Sequence, residues 1–426
     1  MDVDRRFQRM KFLFRLLALA LLPFIAACAG SPARDAADHR PAPLLLISID
    51  GYRHDYIDRG LSPNLAALAR DGVRARSMQP SFPSLTFPNH YTLVTGLRPD
   101  HHGIVHNTMD DPQLGHFDLG DRKAVSDGRW WDEATPLWIT ADRHGLKTAT
   151  MFWPGTEADI QGMHPDHWRP YDGDVTADQR VDQVLAWLDL PGDRRPGFLT
   201  LYFDAVDHAG HEHGPDSPEV NQALRDTDEA LGRLVAGLRR RGLLERMNII
   251  VVSDHGMATV PMGHVITLDG LLPLDQVRLV TAGVLAGIDP KPGTDFAAIE
   301  ARMEQPHAHM QCWDKSRVPT RLAYGHNPRV PQLLCLADAG WTISTDSYMR
   351  RHPQTGTRGE HGYDNADPRM GALFVAHGPA FERGVVHAAF PNVDVYPLMA
   401  HLLGLPAQPN DGDYDQVEDM LVPAAR

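Results

Sequence analysis

Five short runs in this chain are apolar at almost every position: Leu44–Ile49, 147–152, Phe198–Phe203, Asn248–Val252 and 372–376. A strand with one wet face alternates polar and apolar residues, so unbroken apolar runs predict strands covered on both faces. Amphipathic stretches fill the intervals. One starts at Ser62-Pro63 and runs to Asp71-Gly72; another spans 217–240 and ends on Arg239, Arg240 and Arg241, a solvated helix terminus. Strands alternating with helices specify βαβ units, and so an α/β fold built on a doubly wound, mostly parallel sheet. Between 258 and 345 the strands shorten and Pro and Gly recur, which predicts a small α+β insertion into a core made of 43–257 and 346–426. Cys312 and Cys335 both fall in the insertion, and a disulfide between them is expected if the chain is exported.

Export is what the first 28 residues predict. Arg5, Arg6, Arg9, Lys11 and Arg15 precede the apolar run LLALALLPFIAA, too short and too broken by proline for a membrane span. The run ends in Ile25-Ala26-Ala27-Cys28, similar to a bacterial lipobox in which Cys28 would carry lipid and anchor the N-terminus to the membrane. An ordinary signal-peptidase site is the alternative. Either destination is the periplasm or the outer cell envelope. Residues 29–42 are small, polar and proline-containing, as a linker would be.

Function classes narrow further with charge and with two residue types. A net charge of −14 disfavours a stable nucleic-acid partner, which needs a basic surface. There are 23 histidines and 3 cysteines, so a metal would sit on His and Asp or Glu instead of on a cysteine set. Three of the buried strands deliver such residues at their carboxyl ends: Asp50 after LLLISI, Asp207 and His211 beyond LTLYF, and Asp254-His255 after NIIVV. In open parallel sheets those ends line the ligand crevice. Asp207 and His211, four apart, suit one turn or tight loop; His361 lies between glycines in GEHGYDN. A lone strand-end Asp is ordinarily a cap or turn residue, but several carboxylates on one sheet edge repel one another unless cations hold them.

A nucleophile is offered by SFPSLTFPNHYTLVTGL. Pro88 suits a first helical position and Asn89 to Leu97 continue the helix, so Thr86 stands at its mouth, where the dipole favours an anion. Without metals Thr86 reads as a cap; with them it is a hydroxyl that could be activated. No Ser-His-Asp arrangement or Gly-x-Ser-x-Gly elbow competes with it. His90, one turn on, reads as a support for that region, and His101, His102, His208 and His213 as structural or supporting residues.

Together, IDGYR, SFPSLTFPNHYTLVTGLRPDHHGIVHN, YFDAVDHAGHEHGP, VVSDHGM and GEHGYDN resemble the nucleotide pyrophosphatase/phosphodiesterase family of the alkaline phosphatase superfamily. The resemblance covers most of 43–405. It implies an alkaline-phosphatase-like core and two Zn2+ per chain, one held by Asp207, His211 and His361, the other by Asp50, Asp254 and His255 with Thr86 as nucleophilic ligand. It implies that Asn107 hydrogen-bonds a nonbridging phosphoryl oxygen, and that small-molecule nucleotides are cleaved to nucleoside 5′-monophosphates through a threonyl-phosphate ester. Two Zn2+ against three aspartates leave a modest positive field, suited to a singly charged diester. Phe87, Leu119 and Tyr171 sit where the family's aromatic slot would stack a base, or else they are packing residues. Related phospholipid phosphodiesterases and phosphomonoesterases share the metal motifs and remain alternatives, as does a catalytically silent anion-binding lipoprotein. A sulfatase is disfavoured because the Cys/Ser-x-Pro-x-Arg pattern is missing.

Overall fold

The computed structural model describes residues 41–426. The export signal, Cys28 and most of the linker lie outside the described residues. Eight strands form the central sheet: β1 (Leu44–Ile49), β2 (Val73–Ala75), β3 (Thr148–Met151), β4 (His167–Arg169), β5 (Phe198–Phe203), β6 (Asn248–Val252), β7 (Phe374–His377) and β8 (Val385–His387). Their spatial order is β8-β2-β7-β6-β1-β5-β3-β4. The strands from β4 to β6 run parallel, and β7 is antiparallel to both of its neighbours. β1 therefore lies in the middle, with β5 on one side and β6 on the other.

The apolar runs follow from double coverage. Leu45, Ile47 and Ile49 of β1 pack into one cluster, while Leu44 and Leu46 enter another. The first cluster takes in residues of helices α1 (Pro63–Arg70), α3 (Ala177–Leu188) and α5 (Pro218–Arg240). The second takes in α2 (Thr86–Thr95) and α6 (Val395–Leu402). α4 (Ala205–His213) follows β5 almost directly. Among the described residues, no helix is long and apolar enough to cross a membrane.

Several local expectations shift by a residue or two. The strand read at 147–152 spans 148–151, and the one read at 372–376 spans 374–377. Ser62 makes no cap bond to α1; its hydroxyl accepts from Tyr52, and the α1 amides of Asn64 and Leu65 donate instead to buried Asp228 of α5. Within the 258–345 stretch, Val277–Thr281, Leu285–Pro290, Met310–Asp314 and Leu333–Ala337 build a four-stranded antiparallel sheet. Cys312 and Cys335 face each other across its strand pair and are joined as a disulfide. Asp100 ties this region to the core, accepting the backbone N–H groups of Gly325, His326 and Asn327.

Candidate functional site

The carboxyl ends of β1, β5 and β6 converge. Asp50 directly follows β1, Asp254 and His255 follow β6, and Asp207 and His211 project from one side of α4. The sequence left a tight loop open for the last pair; the structure puts them one turn apart on a helix. His361 arrives just beyond strand Arg358–Glu360. Close approach is needed at Gly51: its φ is +67°, and a Cβ there would lie 2.9 Å from the Asp207 backbone.

Two donor groups result, each with ligand atoms within 4.8 Å of one another: Asp207, His211 and His361, and Asp50, Asp254 and His255. His255 Nε2 lies 2.9 Å from Asp254 Oδ2 and 3.5 Å from Asp50 Oδ1. The His255 and His361 rings stack at 3.5 Å, so the groups are adjacent. All three imidazoles are oriented alike: Nδ1 of His211, His255 and His361 faces the carbonyls of Gly359, Gly256 and Ser84, at 3.1, 2.9 and 2.8 Å. With Nδ1–H donated to a carbonyl, Nε2 keeps its lone pair for the cluster. The carboxylates are oriented too. Tyr202 donates its hydroxyl to Asp50 Oδ2 at 2.6 Å, and Gly51 N–H donates to Asp254 Oδ1 at 3.2 Å.

These donors suit cations better than they suit one another. Asp50 Oδ1, Asp207 Oδ1 and Asp254 Oδ2 are buried without a hydrogen-bond partner, which is costly for a carboxylate oxygen. His211 and His361 bring their Nε2 atoms within 3.1 Å, two lone pairs face to face. Burial, then the charges of Asp254 and Asp207, push the Asp50 carboxyl well above its usual range. Burial also acts against Asp254, but His255 and His90 outweigh it and hold that carboxyl well below its usual range. Burial and the neighbouring His255 and His211 push His361 well below the usual histidine range. A divalent ion in each group would satisfy the orphaned oxygens and the paired nitrogens together.

Thr86 is the first residue of α2, two positions earlier than the sequence predicts. Pro88 falls in the first turn, where its missing N–H costs nothing, and Asn89 clasps the turn by donating to the carbonyls of Pro83 and Leu85. Thr86 Oγ1 lies 3.3 Å from His255 Nε2. Asn107 accepts the Phe87 N–H at 2.9 Å through Oδ1, which leaves its Nδ2 as the free donor. Thr86, Asn107, Phe87, Leu119 and Tyr171 line one cavity of about 330 Å³ with Asp50, Asp207, His211 and His361. Leu119 and Tyr171 are 43% and 37% exposed, too open to be core residues.

His90 is fully buried and links three parts of the site: Ser48 Oγ and the Thr86 carbonyl at 2.8 Å each, and Asp254 Oδ2 at 3.4 Å. His102 is also buried. Its Nε2 lies 3.0 Å from Thr92 Oγ1 of α2 and 3.1 Å from the Pro88 carbonyl. His101, His208 and His213 lie outside both donor groups. Sequence reasoning missed Tyr202, whose only signal was a tyrosine in a largely apolar strand, since a buried phenol needs a partner. It also missed the anchoring of Tyr171, whose hydroxyl donates to Asp204 at 2.5 Å while Arg180 holds Asp204 from the other side at 3.2 Å.

Known proteins share these features. A family model described as type I phosphodiesterase / nucleotide pyrophosphatase matches residues 44–364. A pyrophosphatase/phosphodiesterase of Schizosaccharomyces pombe is 38% identical over 384 residues, 87% of this chain and 79% of that protein. A bis(5′-adenosyl)-triphosphatase of Bos taurus is 34% identical over 420 residues, 97% of this chain and 88% of its own. Among solved structures, an inactive Thr-to-Ala variant of murine ectonucleotide pyrophosphatase/phosphodiesterase 5, in complex with AMP, superposes with a TM-score of 0.84 at 35% identity, covering 89% of this chain and 100% of that one.

Proposed function

The chain belongs to the type I phosphodiesterase/nucleotide pyrophosphatase family and is an enzyme of that type, and from this premise we propose that it is an exported phosphodiesterase that uses Thr86 and two zinc ions to release nucleoside 5′-monophosphates. Its core, a mixed α/β architecture around a mostly parallel sheet, is the alkaline-phosphatase-like fold. One observation carries the proposal: Thr86 Oγ1, at the mouth of α2, sits 3.3 Å from His255 in the cavity that both donor groups share. The inactivity of the murine Thr-to-Ala variant and its bound AMP support the same reading.

Asp50, Asp254 and His255 would hold one ion, and Asp207, His211 and His361 the other. When bound, the ions neutralise the three carboxylates, favour ionisation of a nearby hydroxyl and stabilise negative charge on phosphoryl and leaving oxygens. The residues do the rest. Thr86 loses its hydroxyl proton to water at the positive end of α2, where an alkoxide is favoured. Its oxygen attacks phosphorus as the bond to the leaving oxygen breaks, and the electron pair departs with that oxygen. Asn107 donates from Nδ2 to a nonbridging oxygen, while Phe87 and Tyr171 stack the base between them, a sequence-tolerant contribution of about 1–3 kcal/mol. Water then cleaves the threonyl-phosphate ester, restoring the Thr86 hydroxyl and releasing the monophosphate. The arginine- and lysine-bearing leader, the motif around Cys28 and the disulfide support export to an oxidising compartment, with a lipid anchor at Cys28.

The test compares hydrolysis of the nitrophenyl esters of thymidine monophosphate, phosphate and phosphocholine by the purified, zinc-loaded chain. The thymidine ester is expected to be cleaved fastest. A monoester rate equal to it or above it would overturn the phosphodiesterase reading, and a dominant phosphocholine rate would move the substrate to lipids.

A further inference from the structure

Because β1, β5 and β6 run parallel and end at the site, their amino ends lie on the opposite side of the molecule, about 20 Å away along a six-residue strand. The chain enters β1 at that end. Leu44 N–H donates to the Gly197 carbonyl and Asn248 N–H to the Pro43 carbonyl, at 2.9 and 2.8 Å, so the entry point lies between segments 190–197 and 239–247.

Those two segments carry six arginines: Arg194, Arg195, Arg239, Arg240, Arg241 and Arg246. Arg241 is spent on Asp189, at 2.6 Å. The other five are exposed and make no salt bridge among the described residues; Arg195 Nε donates only to the Leu190 carbonyl, at 3.2 Å. Of the two acids in the same segments, Glu245 is held by Arg383 at 3.2 Å, which leaves Asp193. In a chain of net charge −14 this end is a local reversal of sign. A single arginine-rich helix terminus is ordinarily just solvated, but here the end of α5 shares the chain's entry point with a second arginine-bearing segment.

Length and screening say what such a face meets. Cys28 precedes Pro43 by 15 residues, a reach of at most about 50 Å fully extended and roughly 20 Å as a flexible chain. A bilayer that holds Cys28 therefore has this end of the body within reach. Charges are felt over about 8 Å at physiological ionic strength, so the acidic remainder of the molecule is screened from a surface that the arginines touch. Guanidinium groups, planar and weakly hydrated, match phosphate oxygens.

Resting on the lipid anchor proposed above, we propose that Arg194, Arg195, Arg239, Arg240 and Arg246 form a face that docks on anionic phospholipid headgroups of the bilayer carrying the anchor. Docking by this face turns the carboxyl ends of β1, β5 and β6, and with them Thr86 and both donor groups, toward the aqueous compartment.

The experiment measures binding of the mature full chain to phosphatidylcholine vesicles and to vesicles that include about 30% phosphatidylglycerol, with the mass of the N-terminal peptide determined in parallel. The anionic lipid should strengthen binding at least five-fold at ~0.1 M salt, and the gain should vanish near ~0.5 M. Replacing all five arginines with glutamine should remove the gain and leave hydrolysis of the nitrophenyl thymidine ester unchanged. Arg194→Glu with Arg246→Glu, a smaller change, should at least halve it. A gain below five-fold, or one that both variants retain, overturns the docking face and leaves the proposed function standing. If the N-terminal peptide carries no lipid and neutral vesicles bind nothing, the anchor falls, while the response to phosphatidylglycerol still decides the face.

Discussion

At the scale of single residues the site is a set of oriented lone pairs. Each histidine is fixed through Nδ1 by a backbone carbonyl, and Asp50 and Asp254 each commit one oxygen to the protein and keep the other for the cluster. Removing an orienting partner should therefore loosen metal without emptying the fold: Tyr202→Phe is expected to weaken zinc affinity roughly 10- to 100-fold. Competition with a chelator of known affinity checks this, and unchanged affinity would show that the Tyr202 bond is incidental. Thr86→Ala should lower turnover of the nitrophenyl thymidine ester by several orders of magnitude while zinc content stays near that of the parent, measured by kinetics and elemental analysis. Near-full activity would remove Thr86 from the nucleophile's role. Asn107→Ala, losing one oriented donor to the phosphoryl group, should cost roughly 10²–10³ in kcat. Asp50, Asp207, His211, Asp254 and His255 were legible because strand-end position and spacing mark them, while His361, a histidine between glycines, was grouped with them only through the family resemblance. His90 and Tyr202 were harder to place, because a side chain that supports a ligand carries no spacing rule and is identified only by what it touches.

Among the elements, α2 matters most, since it carries Thr86 and Phe87 and is braced by His102. Burial keeps the His102 imidazole neutral down to about 3, against an ordinary 6.5. A depressed histidine contributes stability that is complete above its unfolded value of about 6.5 and is lost as the pH falls from there toward 3. Denaturation measured at several pH values should show stability falling between pH 6.5 and 4, and His102→Gln should flatten part of that fall. An identical slope in both proteins would mean that other groups dominate the acid limb. The start of α2 also shows where periodicity misleads: proline at its third position looked like a first position, because the clasp that extends the helix backward comes from the side chains of Asn89 and Asn107. The long apolar strands, by contrast, were legible nearly to the residue. Burial on both faces leaves little room for charged interruption, so the ends of Leu44–Ile49, Phe198–Phe203 and Asn248–Val252 match the predicted runs, while the other two strands shift by a residue or two.

For the whole molecule, metal and disulfide are the two cross-links to be tested. Chelation by EDTA should abolish activity and lower the melting temperature, with both restored by zinc, because the donor carboxylates repel one another once uncovered. A melting temperature indifferent to EDTA would mean that the donor groups do not load the fold. Cys312 and Cys335 are 23 residues apart, and opening that loop by replacing both with serine should cost about 2–4 kcal/mol in denaturant unfolding. The order of the central sheet has a consequence in time. β1 is synthesised first, yet its partners are β5 and β6, and Asn248–Val252 is made about 200 residues later. At roughly 5–20 residues per second, a strand apolar at five of its six positions waits on the order of ten to forty seconds for its second neighbour. The core therefore closes only after more than half of the polypeptide exists, which leaves Leu44–Ile49 as the segment most in need of a chaperone while it waits.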